Sequence, residues 1–264
     1  MTKTRVTVLV VGATGSIGRL VVEEAIRQGQ AVRALVRNRR KARSLPPEAE
    51  VVVGDLTRPE TLPPAVMGVD AVVFTHGSEG GGKAGAEGVD YGGVRNVLKA
   101  LGSRKARISL MTSIGVTNRA TAYNRSTGGH DWKRRSERLV RASGLPYTIL
   151  RPGWFDYNAA NEHQLVLLQG DKRHAGDPSD GTVARRQIAE VLVHALRSDR
   201  ALHKTFELVS ARGEAPRDFD ALFAPLDGDP PGALDGVHDV ANMPLEKEPQ
   251  RVRDDLNAAR QERT

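Results

Sequence analysis

The chain has 264 residues, of which 39% are hydrophobic and 27% charged, which is the composition of an ordinary globular protein able to bury a core. It contains no cysteine, and this excludes disulfides, thiolate catalysis and zinc–sulfur centres. No apolar run approaches the roughly 20 residues that span a bilayer, and the N-terminus leads directly into a strand pattern, so we expect a cytoplasmic protein with no membrane partner.

The net charge of +7 is unevenly distributed along the chain. Basic residues outnumber acidic ones in residues 1–150, and acidic residues predominate after that point. A basic half is compatible with nucleic acid, with an anionic cofactor or with a solvated basic surface. Since no helix-turn-helix, RNP or zinc-finger pattern accompanies the charge, we expect no nucleic-acid partner and retain the other two interpretations.

The first 29 residues predict a phosphate-binding unit. Residues 6–11 are a β-branched run, residues 12–18 read Gly-Ala-Thr-Gly-Ser-Ile-Gly, and an amphipathic helix pattern follows without a spacer. In such units the glycines allow a tight turn, close approach of a pyrophosphate and packing of helix on strand, while the helix N-terminus offers free N–H groups. The placement between strand and helix makes this signal stronger than the motif alone. The predicted cofactor-binding residues of the turn are Gly12, Thr14, Gly15, Ser16, Ile17 and Gly18.

The end of the second predicted strand, residues 31–36, indicates which dinucleotide binds. An NAD site places a carboxylate there for the ribose 2′-hydroxyl, whereas an NADP site places an arginine against the 2′-phosphate. Arg37 follows the strand directly, and no acidic residue occurs between Arg33 and Pro47. Residues 39–41 are also basic, and a solvated helix start is the alternative for them. We therefore predict NADP, with NADPH preferred over NADH.

The third and fourth strands are predicted at residues 50–56 and 69–75. At the end of the third, Asp55 either accepts from an adenine amino group, with Leu56 against the ring, or caps the helix that follows Pro59. The fourth strand is almost wholly apolar, as expected when helices cover both faces of a sheet. The candidate cofactor-binding residues at its end are Thr75, His76 and Gly77. Residues 76–93 are rich in glycine and predict a mobile loop that covers the cofactor.

A fifth strand at residues 107–113 ends in hydroxyl residues, and ligands of such sheets bind outside the carboxyl ends of the strands. Ser113 is therefore a candidate catalytic residue that orients a carbonyl group, with capping of a turn as the alternative. A polar loop over residues 115–129 precedes a helix that begins near Asp131 and ends at Gly144. A sixth strand, residues 145–150, runs into Arg151.

Strands and helices alternate throughout, which predicts an α/β fold with a Rossmann-type, doubly wound, mainly parallel sheet. Residues 1–155 form the predicted dinucleotide-binding core. Residues 156–264 form a smaller C-terminal lobe that completes the substrate pocket within a single structural unit. In this lobe we expect a helix at 186–196, a strand at 205–210, irregular structure at 225–239 and a charged terminal helix at 248–263.

These motifs resemble the atypical short-chain dehydrogenase/reductase proteins, in particular the NmrA-like NAD(P)-binding group. The resemblance covers roughly residues 5–210. It is carried by the glycine turn at 12–18, Leu-Val-Arg at 35–37, Gly-Asp-Leu at 54–56, Ser113, Lys133 and the run Gly-Leu-Pro-Tyr-Thr-Ile-Leu-Arg-Pro-Gly at 144–153. The resemblance implies that Pro152, Gly153 and Trp154 lie beside the nicotinamide.

In standard members of this superfamily a tyrosine four residues before a lysine donates the proton, and the lysine lowers its pKa and binds the nicotinamide ribose. If Lys133 matches that lysine, the tyrosine position holds Gly129, so the usual acid is missing. Tyr123, on the upstream loop, and His130, with its near-neutral pKa, are the alternative candidate acids. Ordinary structural roles remain open for both, and Lys133 has the alternative of an ion pair with Glu137.

Three functions are compatible with these residues. The favoured one is an NADP(H)-dependent oxidoreductase that transfers hydride to a small organic substrate, with Ser113 and either His130 or Tyr123 managing its oxygen and proton. The second is a regulatory protein that senses NADP(H) without turning it over. The third, a sugar-nucleotide epimerase or dehydratase, is disfavoured by the short second lobe and the missing tyrosine. The sequence predicts no metal site and leaves the oligomeric state open.

Overall fold

A computed structural model of the chain describes residues 6–78 and 80–261. The strands in chain order are β1 (Thr7–Val11), β2 (Ala31–Val36), β3 (Glu50–Val53), β4 (Ala71–Phe74), β5 (Arg107–Met111), β6 (Tyr147–Pro152), β7 (Trp154–Phe155), β8 (Gln164–Leu168), β9 (Thr182–Val183) and β10 (Lys204–Ala211). The α-helices are α1 (Gly18–Arg27), α2 (Pro63–Val66), α3 (Gly82–Gly85), α4 (Gly92–Leu101), α5 (Ala122–Thr127), α6 (Gly129–Ala142), α7 (Arg185–Ala195), α8 (Phe219–Phe223) and α9 (Gln250–Gln261).

Eight of these strands form one sheet in the order β3-β2-β1-β4-β5-β6-β10-β8. All neighbours are parallel except β8, which pairs antiparallel with β10 at one edge. The order reverses direction between β1 and β4, which is the switch point where such sheets bind ligands. The predicted doubly wound, mainly parallel Rossmann-type sheet is therefore confirmed.

Alternate residues of the central strands feed two cores, one on each face of the sheet. On β1, Val8 and Val10 belong to one core, whereas Leu9 and Val11 belong to the other. The first core lies under α1 and α7, and the second lies under α4, α6 and α9. Both faces of the sheet are thus covered, which accounts for the continuous apolar runs in the sequence.

Residues 82–93 are helical, so the predicted loop at residues 76–93 is wrong over that part. Residues 76–78, 80 and 81 are not helical, and residue 79 lies outside the described residues. A turn of π-helix at Ala86–Tyr91 joins α3 to α4. Asp90 accepts hydrogen bonds from the backbone N–H (2.7 Å) and hydroxyl (2.9 Å) of Ser78. The imidazole of His76 donates from Nε2 to the Val89 carbonyl at 3.1 Å. These tertiary contacts outweigh the low helix propensity of glycine.

Residues after 155 extend the same sheet through β8 and β10, and α7 packs against α1. The predicted irregular segment 225–239 is confirmed. The predicted terminal helix corresponds to α9, and residues 262–263 of that prediction lie outside the described part of the chain. Whether this C-terminal half completes a substrate pocket stays a prediction.

The uneven charge of the chain has an internal explanation that the sequence interpretation missed. Four arginines of α6 are almost fully buried beneath residues 227–248, which we call the acidic strap. Their carboxylate contacts are Arg134 with Asp235 (2.9 Å), Arg135 with Glu248 (2.6 Å), Arg138 with Asp235 (2.6 Å) and Arg141 with Asp229 (3.1 Å). Part of the basic excess of the first 150 residues is therefore neutralised by the acidic C-terminal part.

Replacing Asp235 tests the contribution of the strap to stability. Asp235→Asn leaves Arg134 and Arg138 without their shared carboxylate, and we expect it to lower the free energy of unfolding by about 2 kcal/mol. The loss is smaller than that caused by breaking a fully buried ion pair, because Asp235 is partly exposed. Urea unfolding measures the change. In the control Glu214→Gln, which breaks an exposed pair with Arg217, the midpoint should stay unchanged; equal midpoints in both variants would contradict the prediction.

Candidate active site

The glycine turn is built so tightly that two of its positions admit only glycine. Gly12 has φ of +86°, and a Cβ there would lie 2.7 Å from the backbone nitrogen of His76. A Cβ on Gly18 would lie 2.0 Å from the Gly12 carbonyl oxygen and 2.9 Å from Thr75 Oγ1. The N–H of Gly15 closes the turn on the same Gly12 carbonyl at 2.9 Å. The absence of side chains therefore brings α1 directly onto the ends of β1 and β4.

The N-terminus of α1 is free to bind an anion. Ile17, the N-cap residue, makes no side-chain capping bond, and the first turn of the helix contains no acidic residue. Gly15 and Ser16 are exposed, and Thr14 is half-buried beside them. Unsatisfied N–H groups and the helix dipole attract phosphate at such a position. The cradle therefore fits the pyrophosphate of a dinucleotide, as the sequence predicts.

The end of β2 presents a cluster of cations. Arg37 is exposed directly after the strand, and Arg39, Arg40 and Lys41 are exposed at the start of a six-residue 3₁₀ helix that begins at Arg39. Asn38 Oδ1 caps this turn by accepting from the Arg40 N–H at 2.9 Å. The solvated helix start is thus observed for the last three residues, while Arg37 lies closest to the sheet.

Asp55 caps a turn at the end of β3. Its Oδ1 accepts from the backbone N–H (2.9 Å) and hydroxyl (2.8 Å) of Thr57. Asp55 therefore caps the turn that precedes Pro59 and not the helix that follows it. The backbone bond from Thr57, followed by its hydroxyl and by the charge of Arg37, holds the pKa of Asp55 below its usual value. Leu56 is half-buried against the core beside Gly93. Contact of either residue with adenine stays a prediction.

At the end of β4, the backbone of Thr75 and His76 lies against Gly12 of the glycine turn. The hydroxyl of Thr75 donates to the Val11 carbonyl at 3.1 Å and joins β4 to β1. The backbone of His76 touches Gly12, but its ring points away toward α4. Burial lowers the pKa of His76 to about 4, against the opposing effect of Asp90, so this imidazole is neutral at physiological pH. Gly77 is exposed, and its cofactor contact stays a prediction.

Lys133 pairs with Asp90 and not with Glu137. Its Nζ lies 3.7 Å from Asp90 Oδ2, and the lysine is about one-fifth exposed. Glu137 is fully buried and is held by Arg151 (2.7 Å) and by the hydroxyl of Thr112 (2.7 Å). The ion pair proposed from the i,i+4 spacing is therefore wrong. The positive charge of Lys133 also contributes to lowering the pKa of His76 and of His130, so the lysine lies near both rings.

Ser113 follows β5 and is half-buried. In the described ranges its hydroxyl has no hydrogen-bond partner, so it is available to a ligand. The loop that follows is held by Asp171, whose carboxylate accepts from the N–H groups of Gly115 (2.6 Å) and Thr117 (2.7 Å). Asp171 is itself buried at a φ of +48°. No local sequence signal marks it, because its partners lie more than 50 residues away.

Tyr123 and His130 are adjacent, with ring centroids 5.1 Å apart. The carbonyl of Asn118 can only accept, so His130 Nδ1 carries the hydrogen of their 3.2 Å bond. Burial lowers the pKa of His130, which leaves Nε2 as an acceptor at neutral pH. His130 thus acts as an acid only after it is protonated, and its catalytic role stays a prediction.

The position of the missing tyrosine is occupied in an unexpected way. A Cβ on Gly129 would lie 2.4 Å from the hydroxyl oxygen of Tyr123. Tyr123 belongs to α5 and not to a loop, so the expectation of a free loop residue is wrong. Its half-exposed ring covers the first turn of α6. Glycine is therefore required at position 129 as long as Tyr123 packs there.

The segment after β6 joins the sheet edge to the C-terminal half. Pro152 ends β6, and Gly153 packs so closely that a Cβ would lie 2.4 Å from the Gly181 carbonyl oxygen. Trp154 is 37% exposed and meets the exposed ring of Tyr157 edge to face, with centroids 6.3 Å apart. Proximity of Pro152, Gly153 and Trp154 to a nicotinamide stays a prediction.

An open cavity of about 430 Å³ adjoins the loop that holds His130. Its lining residues are Thr117, Asn118, Arg119, Ala120, His174, Val240 and Asn242. Among residues 6–78 and 80–261 no group of His, Asp and Glu side chains is arranged to hold a metal ion. Over the same ranges no helix has both the length and the apolar character needed to cross a bilayer.

A phosphate cradle at the N-terminus of α1, placed at the switch point of a doubly wound sheet, defines a dinucleotide-binding Rossmann protein. The chain belongs to the NAD(P)H-binding family, whose model matches residues 12–199. This agrees with the resemblance to the atypical short-chain dehydrogenase/reductase proteins and means that a nicotinamide cofactor is bound.

Individual relatives have reductase and non-enzymatic names. The chain is 29% identical to the sanguinarine reductase of Eschscholzia californica, over 83% of this chain and 96% of that protein. It is 31% identical to the photosystem II assembly factor Ycf39 of Synechocystis, over 78% of this chain and 63% of that protein. The structure of ChuY, an anaerobillin reductase from Escherichia coli O157:H7, matches with a TM-score of 0.61 at 22% identity, over 80% of this chain and all of that one.

The geometry of the cradle predicts that a single methyl group weakens cofactor binding. Gly18→Ala places its Cβ within 2.0 Å of the Gly12 carbonyl oxygen, so the turn must open and its N–H groups lose their alignment. We expect at least a tenfold weaker affinity for NADPH, measured by fluorescence titration. Gly88→Ala, whose Cβ meets nothing within 4 Å, is the matched control and should bind normally. Normal binding by Gly18→Ala would contradict this account of the turn.

Proposed function

We propose that the protein is an NADPH-dependent reductase that transfers hydride to a small, planar, conjugated organic substrate. The observation that carries this proposal is the composition of one sheet edge. The phosphate cradle, the hydroxyl of Ser113 and the exposed aromatic ring of Trp154 all follow carboxyl ends of strands in the same sheet, and this hydroxyl has no partner among the described residues.

The preference for NADPH rests on Arg37. It stands directly after β2, where the adenine ribose of a Rossmann-bound dinucleotide lies, and no carboxylate in that turn would repel a 2′-phosphate. A guanidinium binds phosphate with two parallel hydrogen bonds, which makes it the side chain best suited to this recognition.

Replacing Arg37 tests this preference directly. Arg37→Glu should abolish any preference for NADPH over NADH, because its carboxylate repels the 2′-phosphate and accepts from a free 2′-hydroxyl. Dissociation constants for the two cofactors, measured side by side, give the ratio. Arg43→Glu makes the same charge change at the end of the same 3₁₀ turn and should keep the wild-type ratio. An unaltered ratio in Arg37→Glu would overturn the assignment.

A bound nicotinamide would supply the hydride, and the residues of this chain would bind and orient the acceptor. The Ser113 hydroxyl would donate to an oxygen or nitrogen of the substrate. Lys133, held by Asp90, would bind the nicotinamide ribose, as the family resemblance implies. With His130 neutral and glycine at position 129, Tyr123 is the remaining candidate proton donor.

This set of groups favours electron-poor, conjugated acceptors over simple aldehydes. Hydride addition to a quinone or to an extended heteroaromatic system spreads the developing charge over many atoms, so the reaction needs less help from a strong acid than carbonyl reduction does. Trp154 and Tyr157 offer flat surfaces for such a substrate. Two relatives support the choice, since one is named a sanguinarine reductase and another an anaerobillin reductase.

Turnover assays with a substrate panel test the proposal. NADPH oxidation should be fastest with quinones and flavins and slow with aliphatic aldehydes. Trp154→Ala should raise KM for the best acceptor about tenfold, because a stacking surface is lost. Met67→Ala removes an exposed apolar side chain at the opposite edge of the sheet and should have no effect. NADPH binding without oxidation by any acceptor would exclude the reductase.

The second candidate is a regulatory protein that binds NADP(H) without turnover. The glycine at position 129 favours it, and so does the relative named as a photosystem II assembly factor, of which this chain spans 63%. The same turnover assay separates the two candidates. A cytoplasmic location stays a prediction, since some relatives are chloroplast proteins.

A further inference from the structure

Arg185, which the sequence interpretation did not single out, reaches the glycine turn from the C-terminal half of the chain. It is the first residue of α7, and its Nε donates to the hydroxyl of Ser16 at 3.1 Å. The two residues are 169 positions apart in sequence. Ser16 belongs to the turn whose N–H groups form the phosphate cradle, so the guanidinium stands at the rim of that cradle.

Two neighbours hold the guanidinium in this position. Asp156 forms an ion pair with Nη1 and also accepts from the backbone N–H of Arg185 at 2.9 Å. The ring of Phe155 lies under the guanidinium, 5.2 Å from its central carbon. Asp156 has a left-handed backbone, with φ of +59°, a conformation that is costly for residues other than glycine and is concentrated at functional sites.

The guanidinium keeps capacity for a further ligand. It is about one-third exposed, and within the described residues its Nη2 makes no hydrogen bond. Arginine presents five N–H donors in a plane and binds phosphate oxygens in pairs. Ser16 supplies only a neutral oxygen, which is a weaker acceptor than the anion that the N-terminus of α1 attracts.

We propose that Arg185 binds the pyrophosphate of the nicotinamide cofactor, so that the cofactor is held between the glycine turn of the Rossmann core and the first turn of α7. Asp156 is then a positioning residue that keeps the guanidinium over the cradle. The proposal rests on the dinucleotide binding of the family and not on turnover, so it is independent of the reductase assignment.

The chain supplies a matched control one residue away. Arg186 carries the same charge on the same helix and also bridges to α1, through Glu23 at 2.8 Å, but it does not touch the glycine turn. Removing either arginine changes the net charge equally and breaks a side-chain contact between α7 and the Rossmann core, although Arg185 also loses its contacts with Asp156 and Phe155. Only Arg185→Ala removes a donor from the cradle.

The test is a comparison of binding by the wild type, Arg185→Ala, Arg185→Lys and Arg186→Ala, using calorimetry with NADPH and with adenosine 2′-monophosphate, which lacks the pyrophosphate. We expect Arg185→Ala to weaken NADPH binding about tenfold while its affinity for the monophosphate and its apparent Tm without ligand match those of Arg186→Ala. Arg185→Lys should fall between Arg185→Ala and wild type, because lysine keeps the charge but not the planar fork.

The proposal is overturned if Arg185→Ala binds NADPH like the wild type, or if Arg186→Ala loses as much affinity. It is also overturned if Arg185→Ala binds both NADPH and adenosine 2′-monophosphate more weakly and has a lower Tm, because Arg185 would then have only a structural role. If the wild type binds NADH more tightly than NADPH, the same variants are compared with NADH and adenosine, since both cofactors contain the pyrophosphate. If the wild type binds neither dinucleotide, the proposal is also overturned. A protein that shows the expected binding pattern but no turnover would refute the reductase alone.

Discussion

A single buried guanidinium, that of Arg151, connects the elements that carry the site. It lies at the end of β6 and contacts Glu137 of α6 (2.7 Å), Glu207 of β10 (3.3 Å) and Asp239 of the acidic strap (2.7 Å). Burial alone would raise the pKa of Glu137, but Arg151, Arg141 and Thr112 hold it below its usual value, so this carboxylate stays charged beside Arg151. Burial instead raises the pKa of Glu207 to about 8. Removing one member would leave the others uncompensated in a medium of low dielectric constant.

This buried network matters for function because it fixes the groups on either side of it. Thr112, which donates to Glu137, directly precedes Ser113, and α6 carries both His130 and Lys133. The acidic strap closes the network from outside by pairing with the other arginines of α6. The C-terminal part of the chain therefore holds α6 against the sheet as well as extending the sheet.

The sequence predicted those features that depend on local patterns. The strand–turn–helix start, the parallel order and the exposed Arg37 follow from apolar runs, glycine spacing and charge within short windows. The helical state of residues 82–93 could not be predicted, because it depends on bonds from Ser78 and His76 to a segment whose glycines disfavour helix. Asp171 and Arg185 were missed for a related reason, since their partners lie 54 to 169 residues away.

The distribution of polar and apolar groups also bears on the choice between enzyme and sensor. A protein that only senses NADP(H) needs the cradle and a recognition element for the 2′-phosphate. It has no need of a hydroxyl donor and an aromatic surface placed beside the nicotinamide. Ser113 and Trp154 follow neighbouring strands, and the Ile114 N–H donates to the Pro152 carbonyl at 3.0 Å. The reductase that we propose uses both groups, since a planar substrate would cover the ring and accept from the hydroxyl.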